Sequence, residues 1–239
     1  SVPTLRLRSL RLLEKMEGMA LGIDRFPLHY SSLGVLFGEG QGMVLPETLL
    51  TGKPYPIKAM IVAGSNPVLT WPNTNKFREA LKKLDFLVVM DLFLTETAKL
   101  ADIVLPAASF LERNGLNSIY AATSLPYIML RKKVIEIDEC WPDLKFWLEL
   151  AKRMGYEEYF PWKDDEEVLD YLLEPTNLTV KYLREEKPEG LFYKTLSHKQ
   201  YETKGVRTPS GKIELYSETL EKLGHEPLPV HKEPPESPI

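Results

Sequence analysis

Short apolar runs alternate with amphipathic segments in the central part of the chain. The runs 58–63, 86–90 and 102–105 are bounded by proline, glycine or charged residues, as expected for buried parallel strands. Residues 73–84 place apolar side chains at helical spacing, and residues 95–100 carry the capping signal of a short helix. This alternation predicts an α/β fold, a doubly wound parallel sheet with helices on both faces.

Beyond residue 115 the hydrophobic pattern predicts more helix than strand. Residues 127–137 are interpreted as an outer strand. Three amphipathic helices follow, at residues 143–154, 164–173 and 179–186. Near the end, a turn at 208–211 precedes an expected strand and a short helix, at residues 212–216 and 218–223.

The same pattern divides the chain into three segments. Residues 1–52 are expected to form an N-terminal extension that packs on the core, 53–190 the α/β domain, and 191–239 a strand-helix extension ending in a proline-rich linker. An imperfect amphipathic helix is expected at 5–16. Four glycines in 34–42 resemble a phosphate-binding loop, but without a Walker lysine or a GxGxxG spacing an ordinary loop is favoured.

Composition narrows the possible functions. Hydrophobic residues make up 44% and charged residues 27% of the 239, values of an ordinary globular protein, and no apolar run approaches the roughly 20 residues of a membrane helix. We therefore expect no membrane contact. A net charge of −4 with scattered Lys and Arg argues against nucleic-acid binding. Cys140 is the only cysteine, so this chain alone holds neither a disulfide nor an iron–sulfur cluster.

The compartment follows only indirectly from the sequence. The first residues interleave Arg with Leu and lack the apolar core and cleavage site of a secretory signal. The chain as given is therefore expected in the cytoplasm, although a parent enzyme could carry an export signal upstream.

Polar residues follow the first two predicted strands. Gly64, Ser65 and Asn66 come after the first strand, and the second ends at Met90 and Asp91. Ligands of open parallel sheets bind at this edge, and a carboxylate there can accept hydrogen bonds from a ribose or a guanine edge. On the residues alone, Asn66 and Asp91 could each be an ordinary turn or cap residue. No GxGxxG follows any strand, so an NAD site is poorly supported, and no nucleophile motif is present.

Ordered blocks of sequence resemble the dimethyl-sulfoxide-reductase family of molybdopterin oxidoreductases. A further block near the C terminus resembles the segment that precedes the last domain of that family. The matching blocks are Lys53 to Ala59, Gly64 to Pro67, Asp91 to Ala98, Ala101 to Pro106, Leu111 to Gly115 and Thr208 to Ser217. Together they span most of the α/β domain and reach into the C-terminal extension.

The resemblance implies a molybdenum or tungsten enzyme with a bis(pterin guanine dinucleotide) cofactor, in which this domain holds the nucleotide end of one pterin. It places Asn66 beside the nucleotide, Met90 and Asp91 at the guanosine, and Arg113 near the phosphates. Asp143 matches an acidic residue that begins a later helix in the family. A carboxylate that only complements the dipole at a helix N terminus is an equally good interpretation of Asp143. The expected cofactor-binding set is Ser65, Asn66, Met90, Asp91, Thr95, Arg113 and Asp143.

Departures from the family pattern limit what this chain is expected to do alone. The family's cysteine motif for a 4Fe–4S cluster and a convincing metal ligand are absent, and after Gly115 only Asn117 is kept from a family cluster of asparagine, acid and arginine. The resemblance therefore implies a fragment or subunit that is inactive by itself. Its partners would be the remaining domains or subunits, including an iron–sulfur electron-transfer subunit. The alternative is a noncatalytic α/β scaffold or interaction module.

Overall fold

The computed structural model describes residues 21–26, 40–117, 126–137, 139–193, 195, 198–206, 208 and 210–231. These residues belong to two compact units, residues 1–194 and residues 195–239. The three-segment division expected from the sequence stays a prediction. Several expectations lie outside the described residues: the helix at 5–16, Gly34 and Gly38, and the last residues of the proline-rich tail.

A three-stranded parallel sheet forms the centre of the first unit. Its strands β1 (Ala59–Ala63), β2 (Phe86–Asp91) and β3 (Ile103–Pro106) lie in that order. β1 and β2 pair from Ala59 opposite Phe86, and β2 and β3 from Val88 opposite Ile103. The predicted α/β class and parallel sheet are confirmed, but the burial expected of all three strands holds only for β2, since β1 buries only Val62 and β3 none of its residues.

Helices pack beside both faces of this sheet. α1 (Leu45–Thr51) and α2 (Pro67–Thr70) precede α3 (Thr74–Leu81), whose N-cap Asn73 accepts a hydrogen bond from a backbone N–H three residues on. One core joins alternate β2 residues to the apolar stripe of α3, with members Phe77, Ala80, Leu81, Leu87 and Val89. On the opposite face, Met90 and Leu105 line a cavity together with a later helix.

Four short 3₁₀ turns lie among the described residues, and two of them, Ala98–Leu100 and Phe110–Glu112, follow strands of the parallel sheet. The four turns span Gly42–Val44, Ala98–Leu100, Phe110–Glu112 and Glu174–Thr176. The turn Ala98–Leu100 lies where the sequence predicted a helix over residues 95–100. Because only three residues are helical there, the segment acts as a tight return into β3 rather than a covering helix.

A second sheet was not expected from the sequence. Strands β4 (Gly115–Asn117), β5 (Tyr127–Arg131) and β6 (Leu191–Phe192) form an antiparallel sheet in that order. Gly190, just before β6, has a φ of 86°, and a Cβ there would lie 2.7 Å from the backbone oxygen of Ile128. Only glycine fits at this position.

The outer strand expected over residues 127–137 is therefore wrong in its length and in its place. The strand ends at Arg131 and belongs to the antiparallel sheet. Beyond it, the backbone N–H groups of Val134 and Ile135 donate to Leu111 O, at 2.8 and 3.2 Å, instead of continuing a ladder. The alternation of apolar and basic residues continued past the point where strand pairing stops.

Three helices complete the first unit, close to where the apolar pattern predicts them. They are α4 (Asp143–Arg153), α5 (Asp165–Leu173) and α6 (Val180–Glu185). Asp164 and Thr179 cap α5 and α6 by accepting backbone N–H groups three residues on. Their apolar faces form a second core with β5, built from Ile128, Leu130, Leu169, Leu173, Val180 and Leu183.

Among its described residues, the second unit contains two short helices, α7 (Gln200–Lys204) and α8 (Glu218–Lys222). The strand expected at residues 212–216 is wrong, because none of these residues is in a strand. Local hydrogen bonds replace a ladder: Thr208 Oγ1 donates to Lys212 O at 2.6 Å, and Ser210 N donates to Glu214 Oε1 at 2.9 Å. In the described part of the chain, no helix has the length and apolarity needed to cross a membrane.

Candidate functional site

The carboxyl ends of the three parallel strands meet at one edge, which we call the carboxyl edge. Ala63 lies opposite Met90, and Asp91 lies opposite Pro106. The main chain continues this contact, since Gly64 N donates to Met90 O at 2.9 Å. The residues predicted after β1 and at the end of β2 are therefore brought together at the same edge of the sheet.

Asn66 ties the loop after β1 to the loop after β2. Its Oδ1 accepts from Thr97 Oγ1 at 2.7 Å and from Thr97 N at 3.2 Å. Its Nδ2 donates to Glu96 Oε2 at 3.2 Å. Thr97 is fully buried and also accepts from Val68 N at 3.1 Å. The Asn66 amide is thus engaged in holding two loops together, a role that its spacing from β1 did not reveal.

Glu96 is the charged member of this network. The pKa of its carboxyl lies below the ordinary value because its own backbone N–H donates to it, and Asn66 and Lys99 favour the ionised form further. Lys99 Nζ lies 3.5 Å from Glu96 Oε1. The side chain is exposed, so the network places a fixed negative charge at the surface of the edge.

Asp91 lies at the tip of the central strand and is half-buried. Its Oδ1 accepts a long hydrogen bond from Phe93 N, at 3.3 Å, which closes a turn after the strand. Its other carboxylate oxygen has no hydrogen-bond partner in the described ranges. A carboxylate oxygen is therefore left to accept from a ligand above the sheet.

The other residues predicted around this edge differ in how accessible they are. Ser65 is exposed beside Asn66. The Met90 side chain is 1% exposed and packs inside the protein, so only its main chain borders the edge. Thr95 Oγ1 accepts from Ala98 N at 3.1 Å and caps the short turn that leads to β3.

Arg113 and Asp143, predicted separately, contact each other. Arg113 Nη1 donates to Asp143 Oδ2 at 2.7 Å, with each side chain about one third exposed. Asp143 is the first residue of α4, where a carboxylate is also favoured by the helix dipole. The Arg113 Nε–H is buried with no acceptor among the described residues. The pair joins the segment after β3 to the start of α4.

Trp141 is a residue at this edge that sequence reasoning missed. Its N–H donates to Pro106 O at 3.2 Å and its carbonyl accepts from Ala108 N at 2.9 Å, so it continues the sheet beside β3. It lines an apolar cavity of about 330 Å³ with Met90, Leu105, Phe146 and Leu150. The run Trp141–Pro142–Asp143 before a helix was the available signal.

Metal ligands form no cluster in the part of the chain that the structure describes, where no group of three His, Cys, Asp or Glu side chains is placed to hold an ion. The polar groups at the carboxyl edge suit an organic ligand that both donates and accepts hydrogen bonds.

Residues 38–153 match the molybdopterin oxidoreductase family. This chain belongs to that family. The matched residues contain all three parallel strands and the carboxyl edge described above.

Individual relatives extend the match over most of the chain. Acetylene hydratase of Syntrophotalea acetylenica is 35% identical over 240 residues, covering 92% of this chain and 32% of the relative. The molybdopterin-containing subunit of thiosulfate reductase from Salmonella typhimurium is 33% identical, covering 78% of this chain and 27% of the relative. Nitrate reductase of Symbiobacterium thermophilum is 43% identical over 113 residues, covering 47% of this chain and 14% of the relative.

The fold is shared as well as the sequence. The structure of acetylene hydratase from Pelobacter acetylenicus superposes with a TM-score of 0.78 at 33% identity, covering 93% of this chain and 33% of the other. This molybdopterin oxidoreductase chain thus spans about one third of the length of these relatives.

Proposed function

We propose that this chain holds the guanosine end of one pterin guanine dinucleotide at the carboxyl edge. The observation that carries the proposal is the half-buried carboxylate of Asp91, which has an oxygen without a partner among the described residues. A guanine edge offers imino and amino donors and a ribose offers two hydroxyls, and either suits this acceptor. Family membership supports a molybdenum or tungsten pterin cofactor.

Space for the ligand exists at the end of β1. Gly64 has a φ of 57°, and a Cβ built on it meets nothing within 4 Å. The backbone there can therefore be approached closely from the open side. In this proposal the main chain at Gly64, the hydroxyl of Ser65 and the carboxylate of Asp91 surround the nucleoside.

The remaining predicted residues act in two different ways. Asn66 and Thr95 hold the loops of the edge in place, since both side chains are already engaged with neighbouring backbone or side-chain groups. Met90 contributes its main chain, because its side chain is buried. Arg113 lies beyond β3, oriented by Asp143, and would place a guanidinium near the phosphates.

The redox chemistry itself would belong to the cofactor and to other parts of the enzyme. We propose that other domains or subunits, including an iron–sulfur electron-transfer subunit, supply the metal ligand, a 4Fe–4S cluster and the remaining contacts to the cofactor. This chain alone would then bind nucleotide without turnover. Reductase activity that depends on molybdenum or tungsten, measured on the purified 239-residue chain, would contradict this part of the proposal.

Titration of the purified chain with GDP tests the binding role. We expect saturable binding that the substitution Asp91→Ala weakens by about 1–3 kcal/mol, because the nucleoside donors lose a charged acceptor. Asp85→Ala is the matched control, since Asp85 is exposed at the opposite end of β2 and the charge change is the same. Its affinity for GDP should equal that of the unaltered chain.

Two results would count against the nucleotide site. Absence of saturable binding at millimolar GDP would favour the noncatalytic scaffold, as would equal losses for the two aspartate substitutions. A parallel titration with ADP shows which part of the nucleotide Asp91 contacts. A preference for GDP over ADP assigns the contact to the guanine edge, whereas equal affinities assign it to the ribose.

A further inference from the structure

A separate cavity of about 550 Å³ lies beyond the third parallel strand. Its walls come from the segment around Glu112 and Asn114, from the segment between β5 and α4, from the first half of α4, and from residues 163–166 at the start of α5. None of its lining residues belongs to the carboxyl edge. Apolar side chains, including Ile137, Pro142 and Leu148, form part of the wall. The cavity is therefore large enough for an organic group and has both polar and apolar sides.

Glu112 is the buried charge of this cavity. The residue is 6% exposed, and its Oε2 accepts from Ser109 N at 2.8 Å in a capping box at the 3₁₀ turn Phe110–Glu112. Its Oε1 is buried and has no hydrogen-bond partner among the residues that the structure describes. Buried carboxylate oxygens almost always accept a hydrogen bond, so we expect a ligand to supply a donor to this oxygen.

The other carboxylates of the cavity already have an ion-pair or hydrogen-bond partner, and Asp164 Oδ1 accepts from Glu167 N at 3.0 Å. Glu136 pairs with Lys133 at 2.7 Å, Glu149 pairs with Arg153 at 2.7 Å, and Glu166 pairs with Arg184. Asp165 accepts from Asn114 N at 3.1 Å.

The lining lysines do not reach Glu112 either. Lys145 Nζ lies 4.4 Å from the centre of the Trp141 ring, and Lys163 is exposed. Within the described ranges, no cationic group lies within 4 Å of the Glu112 carboxylate, so its negative charge stands without a counter-charge.

We propose that this cavity binds an alkylguanidinium group, whose N–H donors reach Glu112 Oε1 and whose stem lies along the apolar wall. A guanidinium is planar and weakly hydrated, so it loses less on leaving water than an ammonium and matches a carboxylate with its forked donors. A bare metal ion fits less well, because no three ligating side chains converge in the described part of the chain. The group is either a free small molecule or an arginine of another polypeptide.

Titration of the 239-residue chain with n-butylguanidinium chloride at constant ionic strength, followed by NMR, tests the proposal. We expect saturable binding that is about tenfold stronger than that of neutral n-butylurea, because only the cation supplies a charge-assisted hydrogen bond. Glu112→Gln should weaken binding of the cation by about tenfold or more, since glutamine presents an amide in place of the carboxylate.

Glu136→Gln is the matched control, because it makes the same substitution at an exposed carboxylate of the same cavity that already has Lys133. Its affinity should stay within about twofold of the unaltered chain. A capped Gly-Arg-Gly peptide separates the two sources: binding as tight as that of n-butylguanidinium assigns the site to an arginine of a polypeptide, and weaker binding assigns it to a small molecule.

The proposal is overturned by any of three results. These are no saturable binding of n-butylguanidinium up to about 20 mM, equal binding of n-butylurea, or equal losses for the two glutamine substitutions. If Glu112→Gln fails to fold, the comparison of the cation with n-butylurea on the unaltered chain still decides. GDP affinity serves as an independent readout, because a loss at the guanidinium site with normal GDP binding separates this inference from the nucleotide proposal.

Discussion

The polar residues around the parallel sheet and around the antiparallel sheet differ in whether they already have hydrogen-bond or ion-pair partners. At the carboxyl edge of the parallel sheet, one Asp91 oxygen lacks a partner in the described ranges, and the Asn66 network holds the surrounding loops. Around the antiparallel sheet, Asp165 binds the backbone of Asn114 and Glu166 pairs with Arg184. The first region leaves an acceptor open at its edge, whereas these two acids of the second region are engaged within its own structure.

Topology explains this difference. Parallel strands send all their carboxyl ends to one edge, so the loops that follow them converge and can surround a ligand. Antiparallel strands alternate their ends, so their loops lie at opposite sides and serve mainly as connections. Each region has its own core, one around Phe77 and Val89 and the other around Ile128 and Leu173. The region around the parallel sheet, which we call the binding region, and the region around the antiparallel sheet, which we call the supporting region, can therefore be perturbed separately.

The largest effect is expected from the core beneath the binding region. Phe77→Ala should destabilise the chain by about 3–5 kcal/mol, because a fully buried ring leaves a cavity against β2. Urea unfolding followed by circular dichroism measures the loss. Phe93→Ala removes the same ring from a side chain that is 75% exposed and should change stability by less than about 0.5 kcal/mol. Equal losses would show that Phe77 is not a core residue.

The second core should respond independently. Leu173→Ala is expected to cost about 2–5 kcal/mol, because Leu173 is completely buried between α5 and β5. Hydrogen exchange should show β5 amides losing protection while β2 amides keep theirs, since the two cores have no buried member in common. Equal loss of protection in β2 and β5 would mean that the two regions open as one unit.

The sequence predicted the first region better than the second for a physical reason. Strands β1 to β3 are continuous apolar runs with clear ends, which sequence reasoning recognises even though only β2 is largely buried and most residues of β1 and β3 are exposed. β4 and β6 contain three and two residues, too few for a period to be recognised. The alternation past Arg131 continued without a pairing partner, which made the predicted strand too long.

The sequence predicted which strand ends lie side by side, but not which side chains are partners there. Strand ends located Asn66 and Asp91, because strand ends of a parallel sheet are adjacent whatever the loops do. That Asn66 would bond to Thr97, or Arg113 to Asp143, could not be read from the chain, since each pair is about thirty residues apart. Side-chain partners over such distances depend on how the loops pack.

Asn66→Ala should have the next largest effect. We expect a loss of about 1–3 kcal/mol, because the buried Thr97 N–H and hydroxyl lose their shared acceptor. Ser65→Ala, at the exposed neighbouring residue, should change stability by less than about 0.5 kcal/mol. Thermal unfolding of both variants measures the difference, and similar midpoints for the two would contradict a structural role for the Asn66 amide.

The Arg113 pair should contribute less. Its members are about one third exposed, so Arg113→Ala is expected to cost about 0.5–1 kcal/mol. Arg25→Ala breaks a pair of the same 2.7 Å length with Glu47, in which both side chains are more than half exposed, and should cost about 0–0.5 kcal/mol. Urea midpoints in low and high salt compare the two. A larger loss at Arg25 would contradict the dependence on burial.

The smallest effect concerns pH and the Glu96 carboxyl. Because its pKa is lowered in the folded chain, ionised Glu96 favours folding at pH values above its ordinary pKa, and this contribution is lost as the pH falls through the folded-state pKa. The stability difference between the unaltered chain and Glu96→Gln should therefore narrow from neutral pH towards acid. Asn66 is one cause of the lowered pKa, so in an Asn66→Ala background the same substitution should show a weaker pH dependence. Urea midpoints of the four chains across this range measure the coupling, and an unchanged pH dependence in that background would place Glu96 outside the network that supports the binding region.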